Sequence, residues 1–140
     1  MTLPGSLSIP VMLSGALALA TVVHLVRRYG ELPARIPVHF GLRGAPDGWG
    51  PKAFLWLCPA MSLMFFAVIV VGARLAGLPS SARPVALPCV LLATQATLFS
   101  LEVGWVRIAA GEANNIWPYV GPLLLVVTLL SVVGAWLSHP

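Results

Sequence analysis

An all-α integral membrane protein is the fold class this sequence predicts: a four-transmembrane-helix bundle with a structured loop between helices 1 and 2. Three observations carry that expectation. The 140 residues are 59% hydrophobic and 9% charged, with mean hydropathy +0.93, too apolar for a soluble monomer. A bilayer core about 30 Å thick takes roughly 20 residues of helix, and the chain offers such stretches at about 8–27, 53–75, 84–108 and 117–138. Between the first two, residues 32–52 read LPARIPVHFGLRGAPDGWGPK, a concentration of prolines, glycines and charged groups in an otherwise Leu-, Val- and Ala-rich chain.

The first helix opens with MTLPGSLSIPVMLSGALALA, which has the look of a signal peptide, Ala18-Leu19-Ala20 standing as a cleavage-like site. It lacks a basic n-region and its apolar run continues to Val26, so a retained helix is expected. Arg27-Arg28-Tyr29-Gly30 closes it at an interface. The motif loop, 28–52, comes next. Pro33 and Pro37 bias Leu32 and Ile36 to extended backbone, which disfavours helix across 32–40. Ile36-Pro37-Val38-His39-Phe40 alternates as a short extended segment, and Gly44-Ala45-Pro46-Asp47-Gly48 has turn chemistry.

The second helix starts after Pro51-Lys52, with Phe54 and Trp56 suited to an aromatic belt, and ends at Arg74, Gly77 and Pro79. Residues 79–83 turn the chain back into the third helix. Residues 107–115 form the third connection, and Trp117-Pro118-Tyr119 begins the fourth helix. Pro59, Pro88 and Pro122 fall in the first two turns of their helices, where a lost backbone bond costs least. Ala16/Ala20, Ala73/Gly77 and Ser131/Ala135 are small pairs that suit close helix approach. No internal repeat is visible, and the whole chain reads as a single four-helix membrane domain.

Four crossings put the first and third connections on one face, and the second connection with both termini on the other. Glu31, Asp47, Glu102 and Glu112 then share the motif face with His24, His39, Lys52, Arg107, Asn114 and Asn115. Arg27, Arg28, Arg35, Arg43, Lys52 and Arg107 lie on that face against Arg74 and Arg83 on the other, which by the positive-inside rule points the motif inward. A site that needs those same cations would produce the same count, so the orientation stays open. The net charge of +4 comes from basic residues at helix ends, with no run or stripe, which argues for headgroup anchoring and against nucleic acid. Cys58 and Cys89, near the starts of antiparallel helices, are expected at opposite faces and unbridged.

Candidate chemistry lies in two places. In the loop, His39 suits acid–base work with Asp47 orienting its imidazole, but no Ser or Cys accompanies them as nucleophile. The reading preferred over catalysis is structural or binding: Asp47 caps the turn and bonds His39, Trp49 anchors at the interface, and Lys52 meets a carboxylate or headgroup. One His and one Asp fall short of a metal set, so neither metal nor cofactor is expected. The second place is Glu102, inside an apolar helix, with Gln95 seven residues away on the same face and Thr94 and Thr97 nearby. Two readings stand open. Glu102 pairs with Lys52, Arg35 or His24 below the loop, or it reaches the interface, pairing with Arg107 or staying protonated. His24 is expected as an interfacial or interhelix hydrogen-bonding residue and His139 as a tail residue. Asn114 and Asn115 either bond the first loop or cap the fourth helix, capping being preferred for Asn115.

The loop resembles the pattern LPxxIPxHFxxxGxPDxWxxK of a bacterial membrane-protein family, the domain of unknown function at the N-terminus of SdpI-type toxin immunity proteins. The matching residues are Leu32, Pro33, Ile36, Pro37, His39, Phe40, Gly44, Pro46, Asp47, Trp49 and Lys52. The resemblance covers the first helix, the loop and the start of the second helix, and no counterpart of the further membrane region of longer SdpI-type proteins is identified. It implies a small multi-pass protein of the bacterial cytoplasmic membrane. Pro37, His39, Phe40, Gly44, Asp47, Trp49 and Lys52 would bind a partner, and toxin immunity is the concrete version. Candidate partners beside the lipid bilayer are a peptide or protein toxin, another membrane subunit or a second copy of the chain. The alternative is a membrane enzyme or small-solute transporter using His39, Asp47, Lys52 and Glu102, or an accessory subunit of a larger complex.

Overall fold

The computed structural model of the protein describes residues 9–75 and 86–137. The expected turn at 79–83 with Arg83, the small residue Gly77 and the tail His139 lie outside the described residues, as do the side chains of Ala73, Ser131 and Ala135. Helix α1 spans Ile9–Tyr29, strand β1 Arg35–Phe40 and strand β2 Pro46–Pro51. A 3-10 helix at Lys52–Trp56 leads into α2, Leu57–Leu75, followed by α3, Ala86–Ala109, and α4, Trp117–Leu137. By length and composition, three helical segments among the described residues are long and apolar enough to cross a membrane: Ile9–Tyr29, Lys52–Gly72 and Pro88–Ala109. A shorter apolar helical stretch covers Trp117–Leu129. These segments mark the chain as a membrane-embedded, multi-pass protein.

Helix α3 is central, packing against α1, α2 and α4. Polar contacts show the directions. His24 meets Glu102 and, one turn further along α1, Arg28 meets Glu112 just beyond α3, so α1 and α3 run parallel. Ser62, early in α2, bonds Gln95, while the earlier Cys58 lies within electrostatic reach of Glu102, so α2 runs antiparallel to α3. Ser100 Oγ donates to the Tyr119 carbonyl at 2.5 Å, and Gly104 lies against the Tyr119 ring, which no larger residue would allow. Only a short connection, 110–116, separates α3 from α4, and the two helices pack along each other, so α4 returns antiparallel to α3. Cys58 and Cys89 are both free.

The motif loop is a β-hairpin, which corrects the sequence expectation of one extended segment followed by a turn at 44–48. The strands pair antiparallel, with Ile36 opposite Gly50, Pro37 opposite Trp49 and His39 opposite Gly48, and irregularities at Val38 and Asp47. The turn sits earlier than expected, closed by Gly44 N–H to the Gly41 carbonyl and Gly41 N–H to the Ala45 carbonyl. Pro46-Asp47-Gly48 then belongs to β2. Prolines end this strand where no ladder donor is needed, which lets so unfavourable a composition serve as a strand.

The inner side of the hairpin continues the core. Ile36 is fully buried with Leu25, Leu55, Val106, Ile116 and Val120, a cluster joining α1, the 3-10 helix, α3 and α4 at one end of the bundle. Further down, the buried hydroxyls of Ser14 and Thr21 donate to the Pro10 and Leu17 carbonyls within α1, so neither is left unpaired among apolar neighbours. Thr94 and Thr97 do the same within α3.

Candidate functional site

The hairpin is gripped on three sides. Trp105, one turn beyond Glu102 on α3, donates its indole N–H to the Pro37 carbonyl and meets the Phe40 ring edge-on, centroids 6.3 Å apart. The third connection holds the tip. Ile116 N–H donates to the Gly44 carbonyl at 3.0 Å, Asn115 Nδ2 to the Arg43 carbonyl at 2.8 Å and Trp117 Nε1 to the Leu42 carbonyl at 2.9 Å. Asn115 also accepts the Trp117 backbone N–H at 2.8 Å, so it both bonds the first loop and caps α4. Gly44 carries φ +77°, and a methyl group there would overlap Asn115 and Trp117. Both left-handed backbone and close approach require glycine.

Lys52 grips the third side without the acid the sequence suggested. Its Nζ donates to the Tyr29 carbonyl at 3.2 Å and the Leu32 carbonyl at 3.5 Å, and lies 4.5 Å from the centre of the Tyr29 ring. Tyr29 ends α1, where unpaired carbonyls and the helix dipole favour a cation. Lys52 therefore fastens the end of α1 to the exit of the hairpin. Arg28 on α1 pairs with Glu112 and, at 3.4 Å, with Glu31, while Arg107 Nε reaches Glu112 at 3.6 Å. These ion pairs tie α1 to the third connection.

The hairpin's outward side carries what packing leaves over. His39 Nδ1 and Asp47 Oδ1 share a hydrogen bond, their side chains 74% and 50% exposed. Trp49 is exposed beside them, and Leu42 projects at the tip, 96% exposed. Asp47 thus bonds His39, as expected, while backbone groups close the turn. Gly48 faces the His39 Cβ, so its missing side chain leaves room for that histidine.

Inside the bundle, Glu102 is completely buried, which excludes the reading in which it reaches the interface to pair with Arg107. Its Oε1 lies 2.9 Å from His24 Nδ1, and its Oε2 is buried without a hydrogen-bond partner. Gln95 is equally buried but engages α2 instead. It accepts from the Ser62 hydroxyl and donates from Nε2 to the Ser62 carbonyl at 2.9 Å. The residues foreseen as one polar cluster therefore divide into an exposed pair (His39, Asp47), a clamp (Lys52), a buried pair (His24, Glu102) and a separate interhelix bond (Gln95). Among the described residues, no three His, Cys, Asp or Glu side chains come together as a metal site. Sequence reasoning missed Trp105, Ser62 and the Arg28–Glu112 tie. Only Trp105 carried a usable signal, an indole N–H deep in a helix that must find an acceptor.

Residues 16–63 match the family described as Domain of unknown function (DUF1648), a segment running from α1 through the hairpin into α2. Glu102, Trp105 and the third connection lie outside it. An uncharacterized protein of Archaeoglobus fulgidus is 29% identical over 107 residues, covering 74% of this chain and 52% of that protein. The chain thus spans about half the length of this relative. No solved structure matches.

Proposed function

We propose that the outer face of the hairpin captures a partner at the membrane surface, and that this partner is a membrane-active peptide or protein toxin, the chain acting as an immunity protein. The observation that carries this reading is the exposed His39–Asp47 pair beside exposed Trp49, on a hairpin whose inner side is fully committed to the bundle. Packing explains Ile36, Pro37, Phe40, Gly44 and Lys52, but it does not explain a histidine, a carboxylate and an indole held in fixed positions facing outward. A rigid, amphipathic, hydrogen-bonding surface loses little entropy when it binds. The resemblance of the loop to SdpI-type proteins supports the toxin version, with the chain in a bacterial cytoplasmic membrane, four helices crossing it and both termini opposite the hairpin.

A second reading, an enzyme or small-solute transporter working through His39, Asp47, Lys52 and Glu102 together, finds less support. Lys52 is occupied by the carbonyls at the end of α1, and Glu102 is enclosed with His24. The test is expression of the full chain in cells challenged with the product of a toxin gene found beside its own. Protection is expected, and it should be lost in His39→Ala and Asp47→Ala at unchanged membrane abundance. Unprotected cells, or variants that protect as well as the native chain, would overturn the proposal.

A further inference from the structure

The His24–Glu102 pair lies in the span of the bundle, away from the hairpin's outer face. Its carboxylate keeps one oxygen in a hydrogen bond and the other, Oε2, buried with no donor. An intramembrane acid so placed is costly unless it has work to do. Interhelix bonding alone does not require an ionisable group, since Gln95 fastens α3 to α2 with an amide, and the neighbouring positions of α3 that face the same way, Leu98 and Val106, are apolar and buried. His24 differs from its partner in being partly open, its side chain 28% exposed, with Phe99 edge-on at 6.1 Å. Its Nδ1 faces the carboxylate, and its Nε2 takes no protein partner among the described residues.

From this geometry we infer that His24 and Glu102 form a proton-binding site within the membrane, His24 passing a proton between its open side and the enclosed carboxylate. The step balances simply. A proton adds to Nε2 of the neutral ring, the Nδ1–H proton moves along the 2.9 Å hydrogen bond to Oε1, and the ring returns to neutrality as the other tautomer while Glu102 becomes a neutral acid. Release reverses the sequence, so the pair takes up and gives back one proton through the open side of His24. No helix need move, because the only species entering the enclosed space is carried along an existing bond.

The surroundings favour a proton over a larger cation. One turn toward the membrane surface stand Arg28 on α1 and Arg107 on α3, both engaged with Glu112 of the third connection. A metal or organic cation approaching from that end meets two guanidinium groups. From α2 the facing group is the buried thiol of Cys58. Lys52 from the hairpin side is held at the end of α1.

Infrared difference spectroscopy of the full chain in lipid bilayers, stepped between two pH values that both lie well above the ordinary carboxylate range of about 4, tests this. The native chain should gain a protonated-carboxyl band at the expense of a carboxylate band. Glu102→Gln should abolish that band and Glu102→Asp retain it, shifted. His24→Asn should keep the acid but change the pH at which it titrates and slow its response. Should the variants fail to fold, nitrogen-labelled native chain carrying His39→Asn and His139→Asn reports the His24 ring by solid-state NMR, where exchange between the two tautomers with pH is expected. A titrating band that survives in Glu102→Gln, or a His24 ring whose nitrogens do not respond to pH, overturns the assignment.

Discussion

Replacing Gly44 by alanine tests whether the hairpin tip is fastened to the third connection in the way the contacts indicate. Two penalties arise at once. A left-handed backbone conformation costs an L-residue about 1–2 kcal/mol, and Gly44 sits at φ +77°. The new methyl also overlaps Asn115 and Trp117, so the tip must withdraw from the start of α4. Withdrawal breaks the bonds from Ile116 N–H, Asn115 Nδ2 and Trp117 Nε1 to the tip carbonyls. At about 1 kcal/mol each these contribute roughly 3 kcal/mol. Strain alone therefore shifts the open–closed equilibrium of the tip about tenfold, and full withdrawal by about a thousandfold, at roughly 1.4 kcal/mol per factor of ten. Amide hydrogen exchange in detergent or bilayers reads this at Ile116, whose N–H is buried against the Gly44 carbonyl. Exchange at Ile116 should accelerate at least tenfold in Gly44→Ala. It should stay unchanged in Leu42→Ala, which trims an exposed side chain on the same turn. Equal protection of Ile116 in the native chain and Gly44→Ala would refute the docking of the tip.

Trp105→Phe keeps an aromatic ring beside Phe40 but removes the indole donor to Pro37. A loss of about 1–2 kcal/mol is expected, seen as faster exchange of β1 amides, and Trp105→Ala should cost more, about 3–5 kcal/mol, because a cavity is added. Lys52→Met leaves the carbonyls of Tyr29 and Leu32 without their cation, and about 1–2 kcal/mol of thermal stability in detergent should go, partly restored by Lys52→Arg. Gln95→Leu strands the Ser62 hydroxyl between α2 and α3. The cost should be only about 1 kcal/mol, since that hydroxyl can turn to its own helix, and Gln95→Leu with Ser62→Ala should recover most of it.

The helices were legible because a bilayer demands long apolar runs and the chain supplies little else, so α1, α2 and α3 announce themselves by length. The hairpin was legible by half. Ile36 to Phe40 alternates as a strand should, but Pro46-Asp47-Gly48-Trp49-Gly50-Pro51 has almost none of the residues that favour strands and most of those that favour turns. It is a strand for tertiary reasons: its glycines leave room for the side chains of His39 and Val38 across the ladder. The His39–Asp47 bond could be foreseen because both residues sit in one short loop. The partner of Glu102 could not be chosen among Lys52, Arg35 and His24, since the choice depends on how far α1 is slid along α3. Nothing within either helix records that offset. Lys52 misled for a related reason. A lone lysine near acids suggests a salt bridge, whereas the carbonyls ending α1 were nearer and equally in need of a cation.

That offset is also what joins the two halves of the molecule. In a bilayer, apolar helices gain little from touching one another rather than lipid, so the register of α1 on α3 needs polar contacts or small-residue packing to set it. Among the described residues, two polar contacts join these helices and their ends, His24 with Glu102 and Arg28 with Glu112. On α1 the two residues are four apart, and on α3 Glu102 is three residues from Trp105, which holds the hairpin. Positions three or four apart share a helix face. The residues that grip the hairpin and the residues of the buried pair therefore line a single seam. The alignment of α1 and α3, which the His24–Glu102 contact helps to set, places Trp105 and the third connection where they hold Pro37 and Gly44. The outward face bearing His39, Asp47 and Trp49 is positioned by that grip. The buried acid and the exposed pair share no direct contact, and what joins them is the frame of α1, α3 and the third connection that carries them both.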